Sequence, residues 1–309
     1  MNIYITGVNG FIGGRLARHI SETMPEGRIV GLGHASRDCD SPTPCFVQGE
    51  IEQPFLDRAA ENWGPPDIFY HLAGGSSVGA SLAAPLKDFH RSAGTTSEVC
   101  EWVRVNCPDT PIVFSSSAAV YGASDQQICT EEDRTIPFSP YGFNKSIAEL
   151  ILENYSRTYG LKTISVRLFS IYGEGLRKQL IWDLCNKLLE NKSGHVELDG
   201  TGNEVRDWLY AADACRILSR AAPIASLRSG ILNAGRGVPV SVKEFVEQVI
   251  KTWGFEPDVV FTNNVRPGDP ESLVASTDSL AELNLDHFTP LERGVKKYVD
   301  WFKELKDVA

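Results

Sequence analysis

Tyr141 and Lys145 stand four residues apart in the run Ser139-Pro-Tyr-Gly-Phe-Asn-Lys145, and a proline at the first turn is a normal helix opening. Spacing of i, i+4 sets a phenol and an ammonium on one helix face. A positive neighbour lowers a phenol's pKa and suits it to exchanging a proton with a substrate hydroxyl. An ordinary amphipathic helix is the competing reading. The run Phe114-Ser-Ser-Ser-Ala-Ala-Val-Tyr-Gly122 weighs against it. It reads as a strand that delivers the Ser117 hydroxyl at its carboxyl end, where open α/β sheets bind ligands.

A second chemistry lies at the start of the chain, in Thr6-Gly-Val-Asn-Gly-Phe-Ile-Gly13. Gly7 suits a tight turn, Gly10 lets the backbone approach a pyrophosphate, and Gly13 lets helix and strand pack closely. The helix opening at Phe11 and Ile12 then offers free N–H groups and a positive dipole end to phosphates. Between a strand and a helix, this turn reads as a dinucleotide site. The following strand normally ends in a carboxylate that holds the adenosine ribose of NAD. Here Gly31-Leu-Gly-His-Ala-Ser-Arg37 has none. Arg37, with His34 and Ser36, is expected to meet a 2′-phosphate, so NADP is the expected cofactor and NAD the alternative. Arg37 as a solvated loop residue is the competing reading.

These groups need a scaffold that brings strand ends to one edge. Short apolar runs at 2–6, 28–32, 68–72 and 112–116 are bounded by polar residues, Gly or Pro and read as buried parallel strands. Residues 11–22 and 84–105 carry helical apolar spacing, a long helix starts near Pro140, and a strand at 163–169 follows. The alternation predicts an α/β fold, a Rossmann-type doubly wound parallel sheet with right-handed crossovers. After Ile171, helices around 180–189 and 242–253 alternate with short strands near 196–198 and 259–261. This predicts a smaller C-terminal substrate-binding lobe. The expected division is a dinucleotide-binding domain at 1–170 with a returning segment near 205–235, and a substrate lobe at 171–204 and 236–309. A length of 309 residues fits two lobes sharing a cleft.

The chain resembles an extended short-chain dehydrogenase/reductase of the nucleotide-sugar epimerase/dehydratase family. The likeness runs over nearly the full length: the glycine turn, His71-Leu-Ala73 closing a strand, the serine strand, the Tyr-Lys helix, Arg206-Asp-Trp208 and Arg266-Pro-Gly-Asp269. It implies that Ser117 hydrogen-bonds the sugar oxygen and that Tyr141 is the acid/base. Lys145 would tune Tyr141 and hold the nicotinamide ribose. It also implies that Arg206 and Arg266 grip the substrate's diphosphate, which guanidinium forks suit. A salt bridge from Arg206 to Glu204 or Asp207 is the competing reading. Glu50 and Ile51 are expected at the adenine, and Leu72 and Ala73 along the cofactor. A homodimer is implied, with helices near 86–105 and 141–158 forming a four-helix bundle.

Departures from the family pattern narrow the reaction. Family dehydratases carry an acidic pair, or a Thr-Glu-type pair, after the strand serine; here Ala118 and Ala119 cannot transfer protons. Dehydration, and decarboxylation using the same position, are disfavoured. The expectation is an NDP-sugar oxidoreductase acting at C4 by NADP(H)-dependent reduction of an NDP-4-keto-(6-deoxy)hexose. NAD-dependent NDP-sugar 4-epimerisation is the alternative. A non-catalytic dinucleotide-binding protein is the rival from another class, disfavoured by the intact Ser117, Tyr141 and Lys145. A reductase of small metabolites would leave Arg206 and Arg266 without a purpose. Arg91 stands where an Asn usually precedes Gly94-Thr95, and Ser170 replaces an Asn that often contacts the substrate. Arg177 and Lys178 read equally as phosphate ligands or as a solvated loop. Trp182 and Trp208 read as pocket lining or as core.

Composition excludes other classes. Thirty basic against forty acidic residues give a formal charge of −10, opposite to the footprint of a general nucleic-acid binder. No apolar stretch approaches the roughly 20 residues of a membrane span, and the N-terminus lacks a secretory pattern, so a cytoplasmic protein is expected. Seven cysteines without a CxxC pair read as reduced thiols. Six scattered histidines give no zinc-ligand spacing, and no metal is expected.

Overall fold

Strand after strand in this chain is apolar on both faces, and such strands can only sit between two layers of helix. The computed structural model describes residues 1–34, 43, 45–122, 128–190, 194–225, 230–264 and 270–307. The chain begins β1 (Asn2–Thr6), α1 (Phe11–Thr23), β2 (Arg28–Gly33), β3 (Cys45–Gln48), α2 (Gln53–Trp63) and β4 (Ile68–His71). Next come α3 (Val78–Ala83), α4 (Pro85–Phe89), a π-turn at His90–Gly94 and α5 (Thr95–Asn106). Then follow β5 (Ile112–Ser117), the 20-residue α6 (Pro140–Tyr159) and β6 (Thr163–Leu168). The remainder runs β7 (Ser170–Tyr172), α7 (Gln179–Glu190), β8 (His195–Leu198), β9 (Val205–Tyr210), α8 (Ala211–Ile224) and β10 (Gly230–Ala234). It ends with β11 (Pro239–Ser241), α9 (Val242–Trp253), β12 (Asp258–Phe261), β13 (Ser272–Leu273), α10 (Asp278–Glu282) and α11 (Leu291–Leu305).

Seven strands form one parallel sheet in the order β10-β6-β5-β4-β1-β2-β3. The fold is the Rossmann-type doubly wound sheet. Its order reverses between β1 and β4, and ligands bind outside the carboxyl ends of the strands at such a reversal. On one face α1 buries Gly13, Leu16, Ala17 and Ile20, an i, i+3, i+4, i+7 stripe, in a core shared with Ile217 and Leu218 of α8. The other face is covered by Phe55 and Leu56 of α2, Val99 and Trp102 of α5, and Ala148 and Leu152 of α6.

The smaller lobe has its own sheet, β11-β9-β13 with β7 beside β9, and a two-stranded β12-β8 pair. Its core joins Trp208, Phe245, Tyr298 and Phe302. The chain returns to the main sheet through α8, which packs on α1, and β10, which pairs β6; β9 lies in the smaller sheet. No described helix is long and apolar enough to cross a membrane. Among the described residues six cysteines are free thiols, and no group of three or more metal-ligating side chains forms.

Candidate active site

The glycine turn has the shape that a pyrophosphate cradle requires. Gly7 adopts φ +69°, a left-handed conformation that side chains disfavour, and its N–H bonds Leu32 O at 2.9 Å. A Cβ at Gly13 would overlap the Gly7 carbonyl, so any side chain there would push α1 off β1. No side chain caps α1 at Gly10, which leaves the helix N-terminus, with Phe11 and Ile12 half-buried beside it, as an open anion site. These features fit a dinucleotide pyrophosphate.

Thr6 at the end of β1 joins the turn to β4. Its hydroxyl oxygen accepts from Leu72 N at 3.0 Å and Ala73 N at 3.1 Å, and meets His71 Nδ1 at 2.9 Å. On the far side, His71 Nε2 lies 3.2 Å from Thr96 Oγ1, whose hydroxyl bonds Ser92 O at 2.8 Å. The pattern closes when Thr6 donates to a neutral His71 and His71 donates to Thr96. Burial, then the nearby Lys145 charge, push His71 down to about 3, which keeps it neutral. Leu72 and Ala73 therefore hold a fixed backbone at the carboxyl end of β4.

Ser117, Tyr141 and Lys145 converge beside this floor. Ser139 caps α6 by accepting from Gly142 N, Pro140 opens it, and Ser81 Oγ accepts from Tyr141 N at 3.0 Å. Lys145 is 3% exposed and donates from Nζ to Ser115 O at 2.8 Å. Burial depresses it to about 8, opposed by the carboxylates of Asp88 and Glu149. The Ser117 hydroxyl hydrogen-bonds the Tyr141 phenol and accepts from Ala119 N at 3.2 Å. One sequence expectation is corrected here. The Tyr141 phenol is raised, not lowered, because burial and the Asp88 charge outweigh the Ser117 hydrogen bond. The Lys145 ammonium, 6.0 Å from the Tyr141 ring centre, sends its hydrogen bond to the backbone instead.

The other end of the crevice is open. His34 follows β2 and Glu50 follows β3, and both line a cavity of about 730 Å³ with Ala84, Leu86, Lys87, His90 and Arg91. Ile51 is buried beneath them in the α2 core. Ser36, Arg37 and Arg266 lie outside the described residues. Lys87, His90 and Arg91 came with no sequence signal for this cavity; a bend at Ala84–Pro85 and the π-turn turn them toward it.

In the smaller lobe, Arg206 is half-buried, donating from Nη1 to Pro270 O at 2.8 Å and Val205 O at 2.9 Å. The carboxylates expected to compete for it are engaged elsewhere: Glu204 by Thr201 and Gly202, Asp207 by the backbones of Arg236, Gly237 and Ala275. Ser170 is half-buried on β7, paired with Trp208. Arg177 is exposed, and Lys178 reaches across to Ser76 O at 3.2 Å. Trp182 packs on Phe302 and Trp301 and belongs to the core. Trp208 stacks on Phe245 at 3.8 Å, yet its buried Nε1 has no hydrogen-bond partner among the described residues.

The family model described as "NAD dependent epimerase/dehydratase family" matches residues 3–235. The chain belongs to this family. It is 26% identical over 306 residues to a putative UDP-glucose 4-epimerase of Methanocaldococcus jannaschii, covering 97% of this chain and 98% of that one. It is 28% identical to a UDP-glucose 4-epimerase of Azospirillum brasilense, covering 91% and 85%. Among solved structures, MoeE5 in complex with UDP-glucuronic acid and NAD superposes with a TM-score of 0.88 at 25% identity, over 99% of this chain and 100% of that one. Family membership makes the chain an enzyme of the NAD-dependent nucleotide-sugar class. Within the family, Ala118 and Ala119 stand at the turn that follows Ser117, Ala118 buried and Ala119 half-buried.

Proposed function

We propose that the chain is an NAD-dependent nucleoside-diphosphate-sugar 4-epimerase, its substrate a UDP-hexose. The observation that carries this is a complete Ser117–Tyr141–Lys145 set beside alanines at 118 and 119. The site can move one proton at a sugar hydroxyl, and the two residues after Ser117 are alanines that supply no acid to expel water. Relatives along the whole chain, named as UDP-glucose 4-epimerases, support the same choice over the reduction expected from the sequence.

When bound, the dinucleotide takes up and returns a hydride at sugar C4. Ser117 orients the C4 oxygen, and Tyr141 takes its proton as C4 is oxidised and gives it back on reduction. Lys145 supplies the positive field beside that exchange, and the uncapped start of α1 holds the pyrophosphate. Ser170, Arg177, Arg206 and Arg266 are the proposed substrate contacts. Leu86 and Phe89 of α4 and Phe143 and Leu150 of α6 are exposed apolar side chains, and a second copy of the chain is the proposed cover for them.

The test is interconversion of UDP-glucose and UDP-galactose followed by NMR, with mass spectrometry of nucleotide released on denaturation. Turnover with tightly held NAD supports the proposal; an empty protein that prefers NADPH and leaves both sugars unchanged overturns it. The cavity cations Lys87 and Arg91, with His34 and His90 beside them, favour a second reading, NADP(H)-dependent reduction of an NDP-4-keto-(6-deoxy)hexose, with the 2′-phosphate seated among them. A non-catalytic dinucleotide-binding protein would turn over neither substrate class.

A further inference from the structure

Asp88 is a carboxylate that neither the motifs nor the proposed mechanism uses. It is 6% exposed on α4, and its Oδ2 accepts from Asn144 Nδ2 at 2.7 Å. Asn144 is equally buried at 6% and immediately precedes Lys145 on α6. The other side of the carboxylate packs on Gly75, where a Cβ would overlap Oδ1. Gly75 therefore leaves the space that the Asp88 carboxylate fills. A carboxylate so enclosed is costly unless an opposite charge compensates it.

The opposite charge nearby is the buried Lys145 ammonium: Lys145 Nζ packs against Gly74 and the Asp88 carboxylate against the adjacent Gly75. From α6, Tyr141, Lys145 and Glu149 face this pocket, and from β4 comes the neutral His71. We propose that Asp88, clamped by Asn144, is a positioning residue. It is the counter-charge that keeps the buried Lys145 an ammonium and strengthens the hold of Tyr141 on the proton that it takes from the C4 hydroxyl. The inference rests on Tyr141 being the proton-exchanging group. Asp88 raises both Lys145 and Tyr141, opposing the effect of burial on the lysine and adding to it on the phenol. Glu149 cannot substitute, because Arg167 already pairs with it through Nε at 3.0 Å and Nη2 at 2.8 Å.

The experiment is Asp88→Asn, which keeps the shape and removes the charge. In NAD⁺-saturated protein, phenolate absorbance of Tyr141 is read by difference from Tyr141→Phe across pH. The expected result is ionisation about 1 pH unit lower than in the parent. Both limbs of the kcat/KM profile with UDP-glucose should move to lower pH in the same variant. The absorbance titration needs no sugar, so its result stands if the epimerase reading fails. An unchanged or upward-moving titration overturns the proposal, as does a loss of turnover equal at every pH. Asp88→Ser repeats the measurement if thermal melting shows that the asparagine variant is unfolded.

Discussion

At the catalytic end of the crevice, Thr6, His71, Asn144 and Lys145 are buried and hydrogen-bonded to protein. At the other end, His34, Glu50, Lys87, His90 and Arg91 are exposed around an open cavity. The first region is set before any ligand arrives, and preorganised dipoles and charges suit a chemical step. The second region is adaptable, because exposed charges cost little to rearrange and their interactions are weakened by solvent. The contrast teaches that rigidity and adaptability come from different parts of the fold: packed hydrogen bonds at β1, β4 and α6, and solvated side chains on α4 and the π-turn.

Substitutions at the two ends should therefore have separable effects. Gly13→Val should remove dinucleotide binding altogether, measured by calorimetry, because the overlap with Gly7 is with backbone. Tyr141→Phe should lower turnover about 10²- to 10⁴-fold, the usual worth of a positioned acid/base, with dinucleotide affinity unchanged. Full turnover in that variant would remove the catalytic end from the comparison. Replacing Lys87 and Arg91 together by Ala should leave turnover unchanged with NAD. If the second reading holds, it should weaken NADPH binding about 10- to 100-fold, the range for lost charge-assisted hydrogen bonds. A drop in kcat would break the contrast. Away from both ends, Phe245→Ala should destabilise the protein by about 3–5 kcal/mol, since it removes the partner of Trp208.

The last prediction concerns acid stability. His71 is held near 3 against an ordinary 6.5, so below about 6.5 the unfolded chain takes up a proton that the folded chain refuses. Stability then falls as pH drops from 6.5 toward 3 and is complete above 6.5. His71→Asn should flatten that part of the pH–melting curve.

Much of the catalytic end was legible in the chain because its signals are local. Tyr141 and Lys145 are one helical turn apart, the Pro140 opening and the glycine turn are consecutive residues, and α9 matches its expected span at Val242–Trp253 with a Ser241–Glu244 capping box. Other parts were not legible. The region 84–105 reads as one helix and is helical from Pro85 to Asn106, but a π-turn at His90–Gly94 interrupts the α geometry, and no local spacing announces it. β3 (Cys45–Gln48) is short with an exposed Gln48, too brief a pattern to separate from loop. α8 buries four alanines beside Asp213 and Ser219 on its covered side, a weak periodic signal although it packs on α1 and the main sheet.

Asp88 shows why some of the site stayed hidden. Nothing in its own neighbourhood marks it, and its partner Asn144 is 56 positions away. The sequence by itself determined the doubly wound class and the strand–glycine turn–helix unit, and it put Tyr141 and Lys145 on one helix face, since each depends on contacts within a few residues. Only the tertiary structure decided that Tyr141 is raised and not lowered, that Lys145 bonds Ser115, and that Lys87 and Arg91 share one cavity with His34 and Glu50. Those outcomes depend on burial and on charges brought together from distant segments, and burial is a property of the folded whole.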